Sequence, residues 1–279
     1  MPVSPSVQYP HWKLIDEARG KGTHWQVLGY PRFVVLGNDV VDASRILAAG
    51  KDLRAAALAA ATPHDEPVHP LHPIQHARVT LDNSAVYLEP GALQFMKGRI
   101  QIDVGVGAGG GGVGGLLRRA ATSMASGESM VRPKYSGSGE IFLEPRRDHL
   151  MLVEVDDAQL MCDRGMFVAC DASLTLDAHV LGVKGASQGG EGISMPVLRG
   201  NGVAMLASPV PLDRILRVQL QDEELKIDGP FAMMSVGKLQ FSVERAAGFL
   251  GSAAGGEGFL NVYRGTGEVW LNLVEARCF

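Results

Sequence analysis

Apolar and polar residues trade places one by one along "RVQLQDEELKI", residues 217–227, and again along "SLTLDAHV", residues 173–180. A period of two puts every second side chain on one face, so these stretches predict half-buried β-strands, with Asp, Asn and Gly marking the breaks between them. The same sequence of breaks recurs. "GESMVRPKYSGSGEIFL" from Gly127, "GEGISMPVLRGNGVAML" from Gly190 and "GEGFLNVYRGTGEVWL" from Gly256 each join a Gly-Glu start, a strand-like run, a G-x-G and a second strand-like run. Upstream, "PGALQFMKGRIQID", "RGMFVACDASLTLD" and "GPFAMMSVGKLQFSVE" align Gly91, Gly165 and Gly229. Further upstream, "ARVTLDNSAVYLEP", "MLVEVDDAQLMCDR" and "LRVQLQDEELKID" read as hairpin-like pairs with Val79, Val153 and Val218 in register.

Internal repetition of this kind predicts an all-β fold of three internally repeated β-sandwich-like modules. The repeats cover about 74–145, 148–208 and 213–275 within a β domain spanning 74–279. A doubly wound α/β sheet is excluded. Residues 1–73 form an N-terminal extension: a strand at "PRFVVLG", an alanine-rich helix over about 43–61 with Asp42 as its cap, and a His/Pro linker.

The glycine-rich "VGVGAGGGGVGGLLRRAATSM", residues 104–124, matches the dinucleotide pattern at Gly105, Gly107 and Gly110, but it also matches in a second register. Its place in the repeat makes it a lengthened connection between strands, with no nucleotide expected. A long glycine run present in one unit of three marks a candidate contact segment, in which Leu116 and Leu117 sit beside Arg118 and Arg119.

These residues resemble a known family. "EPGALQFMKGRIQID", the glycine stretch, "LLRRAATSMASGESMVRPKYSGSGEIFL", "RGMFVAC" and "GGEGFLNVYRGTGEVWLN", in that order, are similar to the altered-inheritance-of-mitochondria family named for mitochondrial biogenesis protein twenty-four. The resemblance covers about 75–275 and suits a bacterial member. It implies a fold like that of the tryptophan-RNA-binding attenuation protein (TRAP-like) and, for the mitochondrial relative, an association with inner-membrane organisation.

Composition narrows the function classes. With 26 basic and 30 acidic residues the net charge is −4, so no basic field draws in nucleic acid, and DNA is not expected as a partner. Aromatic residues at 6% leave few stacking platforms for RNA. Cys162, Cys170 and Cys278 do not make a disulfide framework. They read as thiols in a reducing, cytoplasmic setting, and no stretch of the chain has the pattern of a membrane span. Cys162 and Cys170 flank the Gly165 turn and are expected to face each other on adjacent strands.

Glu128, Glu191 and Glu257 recur at one position of each unit and read as structural turn carboxylates. His64, His69, His72 and His76 fall among prolines and read as linker, with no metal expected. Ser129, His149 and His179 have no partners in sequence that would complete a nucleophilic triad. No cofactor and no catalytic residue are assigned. The expectation is a non-enzymatic oligomeric β scaffold acting through protein or membrane-surface contacts, a homo-oligomer because its strand edges need cover. The alternative is a small-ligand or RNA-binding protein by analogy with the attenuation protein; a hydrolase or metal enzyme comes third.

Overall fold

The computed structural model describes residues 13–36, 39–42, 73–104, 132–146, 148–163, 165–181, 193–228, 231–245 and 259–273. Among them the chain is β1 (Lys13–Gly20), β2 (Thr23–Leu36), β3 (Asp39–Asp42), β4 (Pro73–Leu88), β5 (Leu93–Asp103), β6 (Lys134–Leu143) and β7 (His149–Cys162). There follow β8 (Phe167–Asp171), β9 (Thr175–Leu181), β10 (Ile193–Ser208), β11 (Ile215–Asp228), β12 (Ala232–Arg245) and β13 (Phe259–Asn272), with one 3-10 turn at Leu212–Arg214. All thirteen strands belong to one antiparallel sheet, ordered β1-β2-β4-β8-β10-β7-β12-β13-β11, with β6 and then β5 branching from β4. The all-β expectation holds. The helix expected over 43–61 lies outside the described residues.

Two features of the strands differ from the sequence reading. The pairs read as hairpins are single long strands: β4, β7 and β11 run straight through Asn83, Asp157 and Asp222. Each of these three residues takes a positive φ, at 45°, 44° and 59°, and each sits at a register shift. A left-handed residue at a register shift is a bulge, which bends a strand without reversing it. The G-x-G sequences are likewise interior to β6, β10 and β13. The bulge and the G-x-G meet. The Asn83 N–H donates to Ser138 Oγ at 2.9 Å, Asp157 N–H to Asn201 Oδ1 at 2.8 Å, and Asp222 N–H to Thr266 Oγ1 at 3.1 Å. In every case the acceptor is the middle residue of a G-x-G. Glycine is required where two backbones cross closely: a Cβ on Gly98 would stand 2.6 Å from the Gly139 Cα, and one on Gly237 2.5 Å from the Gly267 Cα.

The apolar faces form three clusters along the sheet. One gathers Trp25, Val79, Leu88, Ile141 and Met205; a second Leu160, Phe167, Leu198 and Met234; the third Met161, Val197, Tyr263 and Val269. Residues from neighbouring strand groups contribute to each cluster, so the groups are continuous through the core.

The N-terminal hairpin is part of this sheet. β2 pairs with the first half of β4, from Thr23↔Leu81 to Tyr30↔Ile74. A buried carboxylate then fixes it from the other side. Asp171, 2% exposed, accepts from Thr23 Oγ1 at 2.7 Å, Trp25 Nε1 at 2.9 Å and the Val203 N–H at 2.9 Å. Gly20 leaves the room for it, since a Cβ there would lie 1.9 Å from Asp171 Oδ2. Asp171→Ala removes the acceptor of three buried hydrogen bonds, leaving Trp25 Nε1 with only Thr23 Oγ1 at 3.2 Å. Hydrogen bonds to a charged group are each worth about 1.5–3 kcal/mol, so the expected loss is at least about 3 kcal/mol. A urea titration reads it as a lowered midpoint, and a midpoint equal to the parent protein's would remove Asp171 from this role.

Candidate functional site

Chemistry-bearing side chains converge where β4 meets β8 and where β7 meets β12. The first junction pairs Val86↔Asp171, Tyr87↔Cys170 and Leu88↔Ala169. The second pairs Leu160↔Val236, Met161↔Ser235 and Cys162↔Met234. Just beyond the first, the Glu89 N–H donates to Val168 O at 2.8 Å; just beyond the second, the Asp163 N–H donates to Met233 O at 3.0 Å. Both Glu89 and Asp163 then enter a short turn, at Gly91 and Gly165, in which Ala92 N–H returns to Glu89 O and Met166 N–H to Asp163 O.

The two thiols do not face each other on adjacent strands. Cys162 ends β7, Cys170 lies in β8, and β10 runs between them in the sheet. After the turn at Gly165, β8 pairs with β10 and β4 and not with β7, which periodicity alone does not register. Both thiols are free and buried. Loss of solvation pushes Cys162 up to about 12 and raises Cys170 as well, so neither is a nucleophile at neutral pH. The Arg132 guanidinium stacks on Phe167 at 4.0 Å from the ring centre, and burial lowers its pKa from the ordinary arginine value.

The turn carboxylates at the two junctions differ in their surroundings. Glu89 Oε2 pairs with Arg146 Nη2 at 3.1 Å; burial raises its pKa while Arg146 and Arg132 oppose the rise. Asp163 has no counter-charge among the described residues. Burial alone brings it to about 6, and its neighbours are the Cys162 thiol and the Tyr263 hydroxyl, both neutral and both raised by burial.

His76 is in β4, not in a linker. It is buried, its Nε2 contacts Gln94 Oε1 at 2.7 Å, its ring stacks on Phe142, and burial lowers its pKa. A strand starting at Pro73 rules out the helical spacing that would let His72 and His76 share an ion. Among the described residues no three metal-ligating side chains come together. His149 begins β7 and His179 lies in β9. Leu116, Leu117, Arg118, Arg119, Glu128, Ser129, Glu191, Gly229, Glu257, Cys278, His64, His69 and His72 lie outside the described residues. Asp171 and Asp163, which organise the junctions, carry no motif. The one hint of Asp171 is an acid closing the apolar run "MFVACD".

The fold and its junctions define an all-β protein in which Asp171, Asp163, Cys162 and Cys170 are embedded at strand junctions. A family model described as Mitochondrial biogenesis AIM24 matches residues 70–272, and the chain belongs to that family. An uncharacterised protein of Streptococcus pyogenes serotype M6 is 25% identical over 198 residues, covering 70% of this chain and 79% of its own. The crystal structure of a Streptococcus pyogenes protein superposes with a TM-score of 0.51 at 21% identity, covering 73% of this chain and 89% of that one. The family match starts after the β1–β2 hairpin. No helix among the described residues is long and apolar enough to cross a membrane.

Asp163 gives a pH dependence with a definite sign. Its folded pKa near 6 lies above the ordinary aspartate value of 3.8, so the stability linked to it is full below pH 3.8 and is lost as pH rises through 6. At about 1.4 kcal/mol per unit, the charged form costs the fold about 2–3 kcal/mol at pH 7.5. Asp163→Asn is expected to melt higher than the parent at pH 7.5 and level with it at pH 4. Parallel curves at both pH values would show that the carboxyl is solvated.

Proposed function

We propose that the protein is a non-enzymatic, oligomeric β scaffold that acts through protein or membrane-surface contacts, and that its sheet is three copies of one β module in the TRAP-like manner. The observation that carries the module reading is the repeated junction. β4 joins β8 and β7 joins β12 in the same register, each followed by the same backbone bond from the turn carboxylate, Glu89 to Val168 and Asp163 to Met233. The bulge residues Asn83, Asp157 and Asp222 then mark equivalent points of the three first strands.

A contact role is supported by the division of side chains in the described residues. The buried acid Asp171, the thiols Cys162 and Cys170 and the imidazole of His76 are embedded in the fold. Large apolar side chains meet solvent on strands at the margins of the sheet, at Leu14 and Ile15 on β1 and Phe95 and Met96 on β5. Free buried thiols fit a reducing, cytoplasmic compartment.

Glycine-rich chain is expensive to order, at about 1–2 kcal/mol per residue, and is a poor stabiliser of a module. The run from Gly105 to Gly115, with Leu116 to Arg119 behind it, is therefore assigned to contact. Replacing Leu116 and Leu117 by Ser and Arg118 and Arg119 by Glu is expected to leave the cooperative melt unchanged. The same variant should sediment less with anionic liposomes, or capture less of a protein partner, with the larger deficit at low salt. Loss of the melting transition would make the segment a structural cap, and unchanged melting with unchanged binding would remove it from both roles.

A further inference from the structure

Two strand edges are left over by the repeated junction, and they are the two halves of a third one. Within the chain the second half of each module's first strand pairs with the middle strand of the next module: β4 with β8, then β7 with β12. The third module's first strand, β11, pairs only with β13, and the first module's middle strand, β5, pairs only with β6, among the described residues. Resting on the module reading above, we propose that β11 of one chain pairs, antiparallel, with β5 of a second copy, placing Leu225 opposite Lys97, Lys226 opposite Met96 and Ile227 opposite Phe95.

The register is fixed by the internal junctions. Counting from the bulge residues, Leu225, Lys226 and Ile227 occupy the positions of Val86, Tyr87 and Leu88, and of Leu160, Met161 and Cys162. Counting from the Gly98↔Gly139 and Gly237↔Gly267 pairs, Phe95, Met96 and Lys97 occupy those of Met234, Ser235 and Val236. Exposure bears this out. Ala169, Cys170, Met234 and Ser235 are buried at their junctions, at 0%, 0%, 1% and 3%, whereas Phe95 and Met96 are 41% and 38% exposed. Apolar residues at a bare strand edge invite pairing.

The backbone is prepared in the same way. The bond from Glu89 N–H to Val168 O makes that pair a hydrogen-bonded one, and antiparallel ladders alternate, so Tyr87 and Cys170 form the next. The same rule turns the polar groups of Lys226 and Asp228 to the outer edge of β11 and those of Met96 and Gln94 to the outer edge of β5. The Asp228 N–H then donates to Gln94 O of the second copy. Exposed Glu223 is brought towards exposed Arg99, a rim attraction of opposite charges. Because β5, which ends the branch from β4, and β11, which ends the main strand order, are different edges, the contact joins chains head to tail, and such contacts close into a ring when the rotation per chain permits.

Two variants test the contact, each with one introduced cysteine and the buried Cys162 and Cys170 kept. Lys97→Cys and Leu225→Cys, each with Cys278→Ser, are co-expressed with different tags and oxidised mildly. Their positions form a non-hydrogen-bonded pair, with Cα atoms about 4.5 Å apart and within disulfide reach. The expected result is a disulfide-linked dimer carrying both tags, with no linked species when either variant is made alone. Met96→Pro deletes an outward N–H at a position where an edge strand tolerates proline; it is expected to keep the melting transition and lose oligomer mass in light scattering. An oligomer with no mixed link, or one that survives Met96→Pro, overturns the pairing and leaves the oligomeric scaffold standing. A protein that light scattering finds monomeric at micromolar concentration overturns both.

Discussion

The buried carboxylate of Asp171 is the interaction on which the arrangement of the sheet turns. It lies in β8 opposite Val86 of β4, so it sits inside the first strand junction, and its three donors come from β2 and β10. An acid out of water is tolerated only when hydrogen bonds replace its hydration. Here that replacement draws Thr23 and Trp25 of the N-terminal hairpin onto the same oxygen, Oδ1. A hairpin outside the family match thereby becomes part of the core, with Trp25 fully buried.

On the module reading proposed above, the corresponding positions of the other two units differ in chemistry. Lys97 and Val236 stand where Asp171 stands. Val236, half-buried, belongs to the β7–β12 junction, and Lys97 is exposed on β5. On that reading one backbone plan carries three chemical characters: an acid that recruits the hairpin, an aliphatic at a junction, and an exposed cation on β5. The turn carboxylates diverge similarly. Glu89 pairs with Arg146, Asp163 is left with neutral neighbours, and Asp228 is exposed at the end of β11.

Much of this was legible in the sequence. Period-two alternation found the strands around Val79, Val153 and Val218, and the recurrence of G-x-G found their order. Glycine spacing could not tell a bulge from a reversal, because both need positive φ, and only the continuous ladders through Asn83 and Gly137 decide between them. Of the β1–β2 hairpin only the end of β2, within "PRFVVLG", is legible as strand, because the hairpin stands outside the sequence repeat. His76 was misread because the prolines near it hid that Pro73 begins a strand.

The sequence by itself determined the class, all-β, and the family, because alternation and repetition are local properties that survive without coordinates. Which strand lies beside which was decided only in three dimensions. β10 comes between the strands of Cys162 and Cys170 in the sheet order, and β4 joins β8 across some eighty residues of chain, because pairing depends on which edges remain unsatisfied after local strands have met. The same holds for Asp171: nothing in "FVACD" specifies its donors, since Thr23, Trp25 and Val203 become neighbours only when the sheet has formed.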